Sequence, residues 1–135
     1  MPVRKLRAGA PSPDPGPNCR PIIEAPGGGW TQLAMGEWEL GASSYADQHP
    51  HDEVNYVLEG RLVVECDGDT VELGPGEAAQ VLAGSAARYS APVYARMLYV
   101  YGPNPEGLAS RVLSASRPED PDEDTEAGTE DRRVH

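Results

Sequence analysis

From Pro21 to Gly102, apolar and polar residues alternate in short runs, each closed by a turn signal. Trp30–Met35 and Glu37–Leu40 are separated by Gly36. Glu53–Glu59 and Arg61–Cys66 are separated by Gly60, and Asp67-Gly68 divides Arg61–Cys66 from Asp69–Leu73. Leu73-Gly-Pro-Gly-Glu77 precedes Ala78–Leu82, and Ala83-Gly84-Ser85 precedes Arg88–Ala91 and Arg96–Tyr101. Alternation at period two turns one side of each run toward a core and the other toward water. The Asp-Gly pair is a hairpin signal. Many short strands at this spacing predict an all-β antiparallel sandwich or barrel. The one helical expectation is a short helix over Gly107–Ser116, stopped by Pro118.

The two ends break the pattern. Pro at 2, 11, 13, 15 and 17 makes residues 1–20 an expected irregular arm. Residues 118–135 hold eight acids and two arginines, over half of the net charge of −11, with no apolar periodicity. The expected division is an arm at 1–20, a domain at 21–116 and a disordered acidic tail at 117–135. The chain of 135 residues is 39% apolar, enough for one modest core. Phe is absent, so Leu, Val, Ala, Tyr, Trp30 and Trp38 must fill it. The acidic balance argues against nucleic acid and against anionic membrane surfaces as partners. No stretch approaches the roughly 20 apolar residues that span a bilayer. Val3–Arg7 is basic but no apolar run follows it, and Cys19 and Cys66 are isolated. A cytoplasmic setting is therefore the expectation. An apolar face around Trp30–Met35 makes a homodimer an expectation as well.

The candidate chemistry lies in Asp47-Gln-His49-Pro-His51-Asp-Glu53. Asp47, His49, His51 and Glu53 recur at period two. In a straight strand Asp47 and Glu53 would stand roughly 20 Å apart. A shared site requires a bend, and Pro50 supplies one. Asp47 and His49 then form one arm of the site and Glu53 the other. Asn55 continues the inward parity as a pocket hydrogen-bonder. Trp38 and Tyr45 precede the cluster and are placed to shape its mouth. Tyr99 and Tyr101 share one side of a late run, and Tyr99 is a substrate-contact candidate. Tyr56 alternates away from Glu53 and is expected to pack. Arg88 is a candidate for an anionic group of a substrate or for a surface acid.

The segment from Gly41 through His49-Pro-His51-Asp-Glu53-Val-Asn-Tyr-Val-Leu-Glu-Gly60 resembles the first motif of the cupin family. Leu73-Gly-Pro-Gly-Glu-Ala, followed by Leu82-Ala-Gly84-Ser-Ala-Ala87, resembles the second. The resemblance covers roughly residues 30–101. It implies a double-stranded β-helix, a jelly-roll cupin barrel. Anchored on Gly60, the family's carboxylate position falls on Glu53 and its second histidine on His49. Its first histidine position falls on Asp47, and its last falls on Ala87, which cannot bind metal. His51 falls on a position that is not usually a ligand. The run Asp52–Gly60 is also similar to that of the ethanolamine-utilisation type of cupin, which lacks metal ligands.

Two kinds of function stay open. With a divalent cofactor (Fe, Mn or Zn), Asp47, His49 and Glu53 supply one imidazole and two carboxylates, with His51 as a candidate fourth ligand. Without one, two carboxylates and an imidazole in close quarters form an acid/base set for proton transfer. Either way the expectation is an enzyme of small molecules: a lyase, isomerase or cyclase. The alternative is a non-catalytic, metal-free cupin module that binds or senses a small molecule.

Overall fold

The computed structural model describes residues 2–11 and 17–116. The acidic segment expected at 117–135 lies outside the described residues. Ten strands run in chain order: β1 (Asn18–Ile23), β2 (Ala34–Gly41), β3 (Ser44–Gln48), β4 (Glu53–Gly60), β5 (Leu62–Cys66), β6 (Asp69–Leu73), β7 (Ala78–Val81), β8 (Ala86–Ser90), β9 (Tyr94–Tyr101) and β10 (Arg111–Ser116). They form two antiparallel five-stranded sheets, ordered β1-β2-β9-β4-β7 and β10-β3-β8-β5-β6. This is an all-β jelly roll: the alternating runs predict its antiparallel strands, and the cupin resemblance implies the jelly roll. β1 begins at Asn18, inside the Pro-rich segment read as an arm.

Three local readings are corrected. The span Gly107–Ser116 holds no helix. Residues Arg111–Ser116 are instead a strand paired with β3. The edge of β3 offers backbone donors and acceptors all along its length, and tertiary pairing outweighs weak local propensity. Gly36 does not divide two strands; β2 runs through it. A Cβ there would lie 2.5 Å from the Tyr99 hydroxyl and 2.7 Å from the Arg20 carbonyl oxygen. The glycine makes room for Tyr99 and for β1. Tyr56, expected to pack, stands 42% exposed on the outer face.

Register sorts the inward residues into rows. Trp38, Met97 and Val57 align across β2, β9 and β4. Tyr45, Tyr89 and Val64 align across β3, β8 and β5. These rows, with Leu62, make the apolar centre, in which Val57, Leu62 and Met97 are fully buried. Each fully buried aliphatic side chain contributes about 1.5–3 kcal/mol. The rows at one end are polar: Tyr101 aligns with Glu53, Tyr99 with Asn55, and Asp47 with Ala87. At that end residues 49–52 cross from β3 in one sheet to β4 in the other. Trp30, from the face expected to be available to a second copy, is buried and forms a β-bridge with Asn104.

Candidate functional site

The crossing between sheets gathers the cluster. After β3 the chain bends at Pro50 and His51 and enters β4 at Glu53. The bend is pinned from the β7–β8 loop: Gly84 N–H donates to the His49 carbonyl at 2.8 Å, and Ala83 N–H donates to Asp52 Oδ1 at 2.8 Å. Gly102 N–H donates to the Asp52 carbonyl at 3.1 Å. Asp47 and Glu53 therefore face each other across His49 instead of lying along one strand.

His49 Nε2 stands 2.9 Å from Asp47 Oδ2 and 3.5 Å from Glu53 Oε1. Its other nitrogen, Nδ1, is 2.7 Å from Ser110 Oγ. The Tyr89 hydroxyl donates to Glu53 Oε1 at 3.2 Å. Asp47 and Glu53 are buried. Burial raises the Glu53 carboxyl to about 7, with His49 opposing the rise and Asp47 adding to it. Burial pulls the His49 imidazole down, but the hydrogen bond to Asp47 and the charges of Glu53 and Asp47 outweigh it, so the net shift is upward. Burial raises the Tyr89 phenol, with Glu53 and Asp47 adding to the effect, so it remains a donor.

His51 does not join the three. It is buried, its ring stacking at 4.8 Å on His49 and at 4.3 Å on Tyr101, with Trp30 tilted beside it at 5.8 Å. Burial and then the charge of His49 lower its pKa. Tyr99 stacks on Tyr101 at 5.4 Å, so four rings form one near-parallel column beside the carboxylates. Asn55 is fully buried, its Oδ1 accepting the Trp38 indole N–H at 2.7 Å. Trp38 and Tyr45 lie under the site, each ring edge-on to another: Trp38 meets Tyr45 at 5.9 Å and Tyr89 at 5.3 Å. Arg88 alternates with the inward Ala87 and Tyr89, so it faces outward, donating to Ser44 Oγ at 3.4 Å.

Tyr89, Tyr101 and Ser110 belong to the site and were not singled out as site residues from the sequence. Tyr89 was legible: it lies two residues beyond Ala87 on one strand and so shares its face. Tyr101 and Glu53 meet only through register between β9 and β4. Ser110 approaches from 61 positions away, and no local pattern announces it.

Asp47, His49 and Glu53 each offer one donor atom, and these atoms lie within 4.8 Å of one another. One imidazole and two carboxylates suit a borderline or hard divalent ion. The contact of Nδ1 with Ser110 leaves Nε2 directed at the carboxylates, and Ala87, level with Asp47 on β8, offers no ligand atom. The residues fit a divalent ion.

A family model described as Cupin domain matches residues 34–101. The acetate kinase EutQ of Clostridioides difficile (strain 630) is 33% identical over 72 residues, 53% of this chain and 46% of that protein. The chain thus spans about half the length of the curated relative it matches. The solved structure of the Clostridium difficile EutQ protein has a TM-score of 0.54 at 27% identity, over 67% of this chain and 66% of that one. A putative ethanolamine utilization protein Q from Salmonella typhimurium LT2 has a TM-score of 0.60 at 18% identity, over 74% and 95%, a likeness of fold alone. Among the described residues no helix is long and apolar enough to cross a membrane. The jelly roll, the turn at Gly60, the His–carboxylate crossing and the match over half of its length agree: the chain belongs to the cupin domain family.

Proposed function

We propose that this chain is a small-molecule enzyme of cupin type that works by proton transfer, as a lyase, isomerase or cyclase. One observation carries the reading: His49 Nε2 lies between two buried carboxylates, 2.9 Å from Asp47 and 3.5 Å from Glu53. A carboxyl that titrates near neutrality and an imidazole held by a second carboxylate form an acid/base pair matched to physiological pH. In this reading Glu53 takes or returns the proton at the reacting atom. His49 carries the complementary proton, Asp47 holds its charge, and Tyr89 fixes the Glu53 oxygen. Asp47, His49 and Glu53 would also hold a divalent ion, which supplies Lewis acidity when bound. Phosphoryl transfer, which the name of the Clostridioides difficile relative denotes, finds less support in these residues. The buried polar side chains among the described residues are Asp47, His51, Glu53, Asn55 and Asn104, with no lysine or arginine to hold a phosphate.

The test has two arms, both on protein purified without a histidine tag. Titration with zinc, manganese and iron(II) is expected to show one ion per chain in the wild type and none in His49→Ala. Incubation with small carbonyl and hydroxycarbonyl compounds in D₂O is expected to show deuterium uptake, read by NMR, that is lost in Asp47→Asn. Uptake unchanged in that variant would remove the proton-transfer reading. Saturable ligand binding with no turnover would leave the metal-free binding module, for which Ala87 at the position opposite Asp47 speaks.

A further inference from the structure

The loop between β9 and β10 lies beyond the matched segment, yet it reaches the site. Its backbone is built to do so. Trp30 and Asn104 exchange backbone hydrogen bonds at 2.9 and 3.0 Å. Asn104 Nδ2 donates to the Leu108 carbonyl at 2.9 Å, and Leu108 N–H donates back to Asn104 Oδ1 at 3.2 Å. Gly107 N–H closes the turn on the Asn104 carbonyl at 3.1 Å. Asn104 is itself buried, and the Trp30 ring packs on His51 and Tyr101. The loop is therefore seated on the same ring column that flanks the carboxylates. Two residues past Leu108, the Ser110 hydroxyl meets His49 Nδ1 at 2.7 Å.

We propose that Ser110 is the positioning residue of His49, holding the imidazole so that Nε2 faces Asp47 and Glu53 whichever ring nitrogen carries the proton. A carboxylate only accepts, so the 2.9 Å contact to Asp47 places a proton on Nε2 in the ion-free protein. In the neutral ring Nδ1 is then an acceptor, and the serine O–H donates to it. When a divalent ion takes Nε2, the ring proton sits on Nδ1 and the serine oxygen accepts it. A hydroxyl serves both arrangements from one position of its oxygen, because only its hydrogen rotates. Neither a backbone carbonyl nor a carboxylate does so, since each only accepts. The His49 carbonyl is held separately by Gly84, so Ser110 governs the ring and not the backbone.

The inference rests on the proposed role of His49, and its test separates the two. Ser110 is exposed, so Ser110→Ala is expected to keep the wild-type melting temperature within a degree or two. Its zinc affinity, by calorimetry with the ion alone, is expected to fall by about 10–100-fold, as when an outer partner of a metal-bound histidine is lost. Ser110→Thr, which keeps the hydroxyl, is expected to restore it. The ring ¹⁵N resonances of His49 are expected to report Nε2–H without zinc and Nδ1–H with it in the wild type, and to shift in ion-free Ser110→Ala. Wild-type affinity and unshifted resonances in Ser110→Ala would overturn the proposal. A wild type that binds no zinc, with His49 resonances still displaced by Ser110→Ala, would remove the ion from the proposed function and support the positioning role.

Discussion

Glu53→Gln is expected to make the ion-free protein more stable and to stop its chemistry. Glu53 is buried, and burial pushes its carboxyl up to about 7, against 4.5 for a free glutamate. The folded state therefore binds its proton more tightly than the unfolded state does, and between these values folding takes up a proton. The contribution is fully present below pH 4.5 and is lost as pH rises through about 7. Above that pH the buried charge costs about 3 kcal/mol. Glutamine keeps the oxygen that accepts from Tyr89 and never ionises. Denaturant melts of the two proteins in chelator should coincide near pH 4.5 and diverge above it, the variant being the more stable by about 3 kcal/mol at pH 8.5. His49, raised, also makes wild-type stability fall with pH, whereas His51, lowered, makes it rise toward pH 6.5. The difference between wild type and variant reports Glu53 together with the share of the His49 shift that its charge causes. Deuterium uptake should meanwhile drop by about 10²–10⁴-fold, the usual worth of a general acid or base. A variant that is less stable at every pH, or one that exchanges at the wild-type rate, would contradict this account. Gain of stability with loss of activity is what a functional site under strain shows.

The second large effect lies in the turn that carries the family resemblance. Gly60→Ala is expected to lower the melting temperature by about 10–20 °C, a loss of about 3 kcal/mol or more. Gly60 has φ of +83°, a left-handed conformation that costs an L side chain free energy. A Cβ there would also overlap the carbonyl of Tyr94, which is backbone and cannot swing aside. That same carbonyl accepts Arg61 N–H at 3.1 Å, so retreat would break the hydrogen bond that ties the β4–β5 turn to the start of β9. Gly41→Ala is the control, because nothing lies within 4 Å of its added Cβ. It should stay within about 0.5 kcal/mol of the wild type. Equal melting of the two variants would show that the close approach at Gly60 is relaxed at little cost.

The family match ends at Tyr101 and does not include the loop that delivers Ser110. The matched strands supply the carboxylates and the ring column, while the segment after them supplies the hydroxyl that orients His49. In this chain the site is thus completed by residues outside the shared barrel.

How much was legible beforehand follows from the range of each interaction. Alternation of apolar and polar residues fixed β4, β6 and most of β2, β5, β7, β8 and β9, because the period of a strand is written in adjacent residues. Asp67-Gly68 is the two-residue turn of the β5–β6 hairpin, with Cys66 paired to Asp69. Glu53, Asn55 and the inward side of β4 could be read from parity alone. The gathering of Asp47, His49 and Glu53 was legible as a requirement for a bend, and Pro50 marked it. β10 was not legible, since its pairing with β3 is what makes Arg111–Ser116 a strand. The face of Tyr101, the retreat of His51 into a ring stack and the arrival of Ser110 at His49 were decided only by register and packing. Those depend on which distant edges meet, and the free energy of that choice is spread over the whole barrel and written in no single segment.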